Sequence, residues 1–121
     1  MPHDSDDTAF LYDMVQSGAA IERYLTGRHR GDLDRDEMFR DALERRLEIF
    51  GEAARGVSAE LQSRTPHIPW RKIIAVRHIL AHDYDEINYD VLWQIVTTYV
   101  PTATKMVAAL LPPPPREDFT A

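Results

Sequence analysis

Residues 38–57 read MFRDALERRLEIFGEAARGV, and the apolar side chains in this stretch recur every three or four positions. This spacing matches the 3.6 residues of an α-helical turn, so the apolar side chains share one face and charged residues occupy the other. The pattern predicts a long amphipathic helix with Asp34 as its N-cap. Its buried face is expected to comprise Phe39, Leu43, Leu47, Phe50, Ala54 and Val57, and its solvated face to include Arg45, Arg46 and Arg55.

A first helix is predicted upstream of this stretch. Asp7 and Thr8 are candidate N-caps, because short polar side chains accept hydrogen bonds from the free amides of a first helical turn. Gly27 is the expected C-terminal stop, since glycine readily adopts the left-handed conformation that ends many helices. The polar residues 28–34 are then predicted to form a loop.

Two more helices are predicted downstream. One runs from Trp70 to about Asp83, with Pro69 in its first turn, where a missing amide hydrogen is tolerated. The next is capped by Asp85 or Asn88, and Pro101 is expected to kink or divide it. No segment alternates with period two. The predicted fold class is therefore all-α, a bundle of four or five helices.

The composition is typical of one globular domain, with 121 residues of which 44% are hydrophobic and 28% charged. No apolar run approaches the roughly 18 residues of a membrane span, and the acidic residues 1–7 do not resemble a signal peptide. The chain has no cysteine, which excludes disulfides and thiolate metal ligands and is compatible with a reducing compartment. We therefore expect a cytoplasmic protein without a membrane partner.

The net charge of −6 limits how the chain can contact nucleic acid. Proteins that bind nucleic acid through many nonspecific phosphate contacts usually carry a basic balance. Any RNA contact is thus expected at a small basic site within an acidic surface, and an acidic body also suits a basic protein partner.

The densest group of chemically capable side chains lies near the end of the third predicted helix. Arg77 can form bidentate contacts with phosphate oxygens, and His82 can exchange protons near neutral pH because histidine has a reference pKa of about 6.5. These two residues lie about 140° apart around a regular helix. Either the helix ends near His82, or two copies of the motif meet across a twofold axis. Arg77 and Tyr84 are seven positions apart, so they lie on nearly the same face of the helix if it continues to Tyr84.

Arg77 also lies close to an apolar stripe, where a guanidinium requires a hydrogen-bonded partner. Glu52, in the second predicted helix, is the candidate for that partner. A zinc site is the alternative for His78 and His82, which have the i, i+4 spacing of metal-binding helices. Ile79 occupies the position of the usual catalytic glutamate, however, and no third ligand is evident. We therefore expect no metal.

These residues together resemble the HepT-like proteins of the HEPN superfamily. Arg77, His82 and Tyr84 match the family motif R-x4-H-x-Y, and Gly51-Glu52-Ala53 and Ile68-Pro69-Trp70 resemble two further family segments. The resemblance covers about residues 8–111. It leaves an acidic N-terminal tail, residues 1–7, and a proline-rich C-terminal tail, residues 112–121.

The resemblance implies an antiparallel helical bundle that forms a homodimer, with both motifs along a shared cleft. It implies a metal-independent endoribonuclease in which Arg77 and His82 are the catalytic pair and His78 assists. Glu52 and Asp83 are expected to support the site structurally. Cleavage of RNA would proceed through attack by the 2′-hydroxyl and leave a cyclic phosphate.

The resemblance further implies a toxin whose partner is a nucleotidyltransferase antitoxin of the MntA type. Such an antitoxin transfers AMP from ATP to the motif tyrosine, here Tyr84, and so blocks the site by charge and volume. Two other functions stay open. The chain could be a non-catalytic helical partner that regulates a nucleotidyltransferase, or a nucleotide-binding domain in which Arg77, His78 and Tyr84 hold a phosphate.

Overall fold

A computed structural model describes the backbone of residues 4–82 and 88–112 and the side chains of residues 6–77 and 88–112. Most of these residues are helical, as the spacing of apolar side chains predicts. No strand occurs in these ranges, and the predicted all-α class is confirmed. The helices are α1 (Asp4–Leu25), α2 (Asp32–Arg35), α3 (Glu37–Gly56), α4 (Ala59–Arg64), α5 (Trp70–His82), α6 (Tyr89–Gln94) and α7 (Val100–Ala108), with a π-helical turn at Ile95–Tyr99 between the last two.

Helix α3 supplies the centre of the hydrophobic core. All six side chains of its predicted apolar face are buried, and Phe50 has no exposed surface. The N-cap is Asp36, whose carboxylate accepts a hydrogen bond from the amide of Phe39 at 3.1 Å. That hydrogen bond, followed by one from Arg28, lowers the pKa of Asp36. The prediction of Asp34 as the cap is wrong, because Asp34 belongs to the short helix α2 in the segment predicted to be a loop.

Helix α1 begins before its predicted caps. Asp7 lies inside the helix, and its buried carboxylate accepts hydrogen bonds from the backbone amide of Ser58 at 2.8 Å and from the Ser58 hydroxyl at 2.7 Å. Asp7 thus ties α1 to the first turn of α4, a helix that the periodicity did not predict. The predicted stop at Gly27 is confirmed, since Gly27 has a φ of +73° just after α1.

Two contacts set the direction of α1 relative to α3. The N-terminal part of α1 meets the end of α3 through Asp7 and Ser58, and at the other end the Arg46 Nε donates to the Tyr24 hydroxyl at 3.2 Å. The two helices are therefore antiparallel. Helix α1 also packs on α7, and α5 packs on α3. Helix α3 therefore contacts both α1 and α5.

The C-terminal helices are continuous in space. Asn88 is the cap, because its side chain accepts from the amides of Asp90 and Val91, and the alternative, Asp85, lies outside the described residues. The backbone stays right-handed helical through the π turn, so of the two predicted effects of Pro101, a kink or a division, the division does not occur. The amide of Val100 bonds the carbonyl of Ile95, five residues back. This wider turn relieves the clash between a proline ring and the preceding carbonyls.

None of the helices in the described ranges is both long enough and apolar enough to cross a membrane.

Candidate active site

Arg77 is positioned by the packing of α5 on α3. Val76 and Ile73, one and four residues earlier on α5, are buried in the core. Gly51 on α3 is buried at the same level, and a Cβ on Gly51 would lie 3.2 Å from the Cβ of Arg77. Glycine at this position therefore lets the two helices approach closely. The Arg77 side chain remains one-quarter exposed, so its guanidinium reaches the protein surface.

The predicted pairing of Arg77 with Glu52 is present. Arg77 Nη1 donates a hydrogen bond to Glu52 Oε2, which joins α5 to α3 across 25 residues of sequence. The second oxygen of the same carboxylate, Oε1, lies 3.6 Å from Nη1 of Arg55. About half of the Glu52 side chain is exposed, and ion pairs in such settings stabilise proteins by about 0–1 kcal/mol. The contact therefore orients the Arg77 guanidinium more than it stabilises the fold.

A cleft of about 530 Å³ opens beside this ion pair between α1, α3 and α5. Its walls combine apolar surface from Phe10, Ile49 and Ala53 with charged groups of both signs. The charged residues that line it are Asp13, Arg45, Glu48, Glu52, Arg55 and Arg77. Three arginines and three carboxylates make this lining formally neutral, on a chain of net charge −6. The described cleft is therefore not by itself the basic site expected from the composition.

The other predicted site residues are described only in part or not at all. Helix α5 includes His78 and His82, but their side chains lie outside the described residues, as do Asp83 and Tyr84. The helical backbone from Arg77 to His82 places these two residues about 140° apart around the axis. Among the side chains that are described, no group of three could ligate a metal ion. The proposed roles of these residues, and the expectation of no metal, stay predictions.

Arg45 and Arg55 were expected only to face solvent. Their side chains are indeed 70% and 62% exposed, yet both line the cleft that contains Arg77. Spacing on α3 could have indicated this, since Arg45, Glu48, Glu52 and Arg55 follow one another at intervals of three or four and so share a helix face. What the periodicity did not show is that α5 brings Arg77 to that face.

Comparison with protein-family models gives a match to the model described as "Ribonuclease HepT-like" over residues 14–110. The chain belongs to the HepT-like family of ribonucleases. The match includes Glu52, Arg77 and the whole of α5, and the family resemblance seen in the sequence is therefore confirmed.

Individual relatives of this HepT-like chain carry corresponding names. A protein of Methanocaldococcus jannaschii named as a putative RNase is 35% identical over 102 residues, which cover 84% of this chain and 94% of that one. A second protein so named, from Caldanaerobacter subterraneus subsp. tengcongensis, is 31% identical and covers 84% and 91%. A protein of Thermococcus cleftensis named as a probable ribonuclease HepT is 30% identical and covers 77% and 84%. No solved structure matches the HepT-like chain.

Proposed function

We propose that this chain is a metal-independent endoribonuclease and the toxin of a toxin–antitoxin pair. The observation that carries the proposal is the position of Arg77 in a member of the HepT-like ribonuclease family. Its guanidinium is held by Glu52 at the edge of an open cleft, where it is accessible to a phosphate. Arginine in such a position supplies fixed positive charge and two parallel donors for phosphoryl oxygens.

The proposed reaction uses the RNA's own ribose as nucleophile. The 2′-oxygen attacks the adjacent phosphorus and loses its proton to a base, and the bond from phosphorus to the 5′-oxygen breaks. The 5′-oxygen takes up a proton, and the products are a 2′,3′-cyclic phosphate and a 5′-hydroxyl. His82 carries one of these proton transfers, and Arg77 stabilises the charge on the phosphoryl oxygens. His78 assists at the site, and Asp83 supports its structure.

The angle between Arg77 and His82 favours a site shared by two copies of the chain. Because the helical backbone separates the two residues by about 140°, one copy does not readily aim both at the same phosphate. A twofold interface brings Arg77 of one copy and His82 of the other into one cleft. The homodimer is therefore part of the proposed mechanism.

The proposed regulation acts on Tyr84. A nucleotidyltransferase antitoxin transfers AMP from ATP to the phenolic oxygen, with release of pyrophosphate. Tyr84 is seven residues, about two helical turns, after Arg77, so the two residues lie on the same face of the helix if it continues to Tyr84. The added phosphate and nucleoside would then lie against the arginine and exclude RNA by charge and volume.

Cleavage of RNA by the purified protein tests the central claim. We expect His82→Ala to lower the cleavage rate by about 10²–10⁴-fold, the usual contribution of a proton-transferring side chain. His67→Ala is the matched control, because His67 is an exposed histidine outside the cleft. Wild-type cleavage should persist in a metal chelator. Equal rates for wild type and His82→Ala would reject His82 as a catalytic residue.

Intact mass after co-expression with the nucleotidyltransferase tests the regulation. We expect the mass to rise by whole AMP units and the gain to disappear in Tyr84→Phe. Tyr12→Phe should retain the gain, since Tyr12 is an exposed tyrosine on α1, 55% accessible. A gain that persists in Tyr84→Phe would place the modification on another residue.

The net charge of −6 favours one alternative, a non-catalytic partner that binds and regulates a nucleotidyltransferase. If this alternative holds, wild type and His82→Ala bind the transferase equally, and neither cleaves RNA in the assay. Cleavage that depends on His82 would reject it.

A further inference from the structure

Four charged residues form a continuous stripe on the cleft face of α3. We call Arg45, Glu48, Glu52 and Arg55 the α3 stripe; all four line the cleft beside Arg77. Within the stripe, Arg45 pairs with Glu48 at 3.6 Å and Arg55 pairs with Glu52 at 3.6 Å. Arg45 and Arg55, the ends of the stripe, are ten positions apart, or about 15 Å along the helix axis. This length exceeds what a single phosphate group requires.

The Glu52 carboxylate brings two arginines together from different helices. One oxygen faces Arg77 on α5, and the other faces Arg55 one turn further along α3. Two guanidiniums on one carboxylate give these three side chains a net charge of +1, whereas Arg45, Glu48 and Asp13 make the whole lining formally neutral. The shared carboxylate therefore sets Arg55 beside Arg77, and the excess positive charge of the lining lies at this pair.

The pairing of Arg55 does not remove it from use. Its side chain is 62% exposed and lies 3.6 Å from the carboxylate, and ion pairs at such exposure contribute little. A phosphate that offers bidentate, charge-assisted hydrogen bonds can compete for this guanidinium. Arg77 is held more closely and is less exposed, which suits a residue whose orientation matters more than its mobility.

We propose that Arg55 is a second phosphate-binding arginine, which contacts the RNA phosphate next to the one that Arg77 contacts. This inference rests on the proposed ribonuclease function and extends it. Arg45 is paired with Glu48 instead, so Arg55 is the arginine of α3 that shares a carboxylate with Arg77. Phe10 and Ile49 provide apolar wall for ribose and base, since nucleic-acid grooves commonly combine cations with apolar or aromatic surface.

The test measures binding of a 2′-O-methyl oligouridine, which lacks the attacking hydroxyl and so is not cleaved. The dissociation constant is determined over a range of salt concentrations for wild type and Arg55→Ala. Each phosphate contact to a single strand contributes about 0.7 to the slope of log affinity against log salt. We expect Arg55→Ala to reduce the slope by about this amount and to weaken binding about tenfold at low salt, as loss of one charged hydrogen-bonding partner does. Arg55→Lys should keep the slope.

Arg35→Ala is the matched control. Arg35 is 75% exposed and also pairs with an acidic residue three positions away, but it lies on α2 and outside the cleft. Equal slopes for Arg55→Ala and Arg35→Ala, or no binding of the oligouridine by wild type, would overturn the inference. The same holds if Arg55→Ala weakens only the binding of the nucleotidyltransferase, because the cleft would then be a protein-docking surface. Cleavage of unmodified RNA is scored separately, so the proposed function can fail or stand independently of Arg55.

Discussion

Replacement of Arg77 by alanine is expected to lower the rate of RNA cleavage by about 10²–10³-fold, the range found when one group that stabilises transition-state charge is removed. The side chain lies at the edge of the cleft, one-quarter exposed, and makes its described ion pair with Glu52 alone. Arg77→Lys should recover only part of this loss, because a lysine ammonium retains the charge but not the planar pair of donors. Single-turnover rates with saturating protein would separate this effect from weaker binding of RNA.

Glu52→Gln tests whether the carboxylate positions Arg77. The amide has nearly the same shape, but its oxygen is uncharged and its nitrogen is a donor that repels the guanidinium. We expect a fall in the single-turnover rate of up to about 10²-fold, as a displacement of about 1 Å in a reacting group can produce, and little change in the stability of this half-exposed pair. Glu48→Gln is the control, since Glu48 lies on the same stripe but pairs with Arg45. Equal rates for the two variants would show that Glu52 does not position the catalytic arginine.

Replacement of Phe50 by alanine is expected to have the largest effect on folding. Phe50 is fully buried at the centre of α3, a helix that packs against both α1 and α5. Removal of a buried phenylalanine side chain costs about 3–5 kcal/mol, from lost burial and from the cavity left behind. Because domains are typically stable by only about 5–15 kcal/mol, we expect the variant to unfold at a clearly lower temperature and urea concentration than the wild type.

Met38→Ala provides the comparison for Phe50→Ala. Met38 is a large apolar residue on the same helix, but it is 83% exposed. Its replacement should change the free energy of unfolding by no more than about 0.5 kcal/mol, as at most surface sites. Urea titration of the three proteins, followed by circular dichroism, measures both effects. A loss below about 1 kcal/mol for Phe50→Ala would contradict its place in the core.

The apolar face of α3 shows how far local patterning reaches. Helical spacing alone predicted which side chains are buried, because every third or fourth residue necessarily lies on one face. The same reasoning predicted the stop at Gly27 and included Asn88 as one of two candidate caps, and both features depend on a few adjacent residues. It was wrong at Asp34, since Asp36 is an equally suitable cap and the short helix α2 decides which of the two aspartates is free.

Asp7 illustrates a limit of a different kind. As a sequence feature it is a good N-cap, yet its carboxylate bonds Ser58, 51 residues away. The sequence shows that the Asp7 carboxylate can accept hydrogen bonds, but which residue donates them depends on the antiparallel packing of α1 on α3. The π-helical turn before Pro101 was also missed. The proline predicted a disturbance of the helix, but not that it would take the form of a π-helical turn.

The amino-acid sequence by itself determined the all-α class, the core face of α3 and the arginine at the candidate site, because each depends on short-range spacing and on side-chain chemistry. It also suggested the pairing of Arg77 with Glu52, from the need to satisfy a charge near an apolar stripe. The tertiary structure alone decided that Arg55 shares this carboxylate and that the α3 stripe lines a cleft with Arg77. Both features require α1, α3 and α5 to pack together around the same cleft. Contacts between residues far apart in the sequence set that packing, and the spacing of residues within one helix does not predict it.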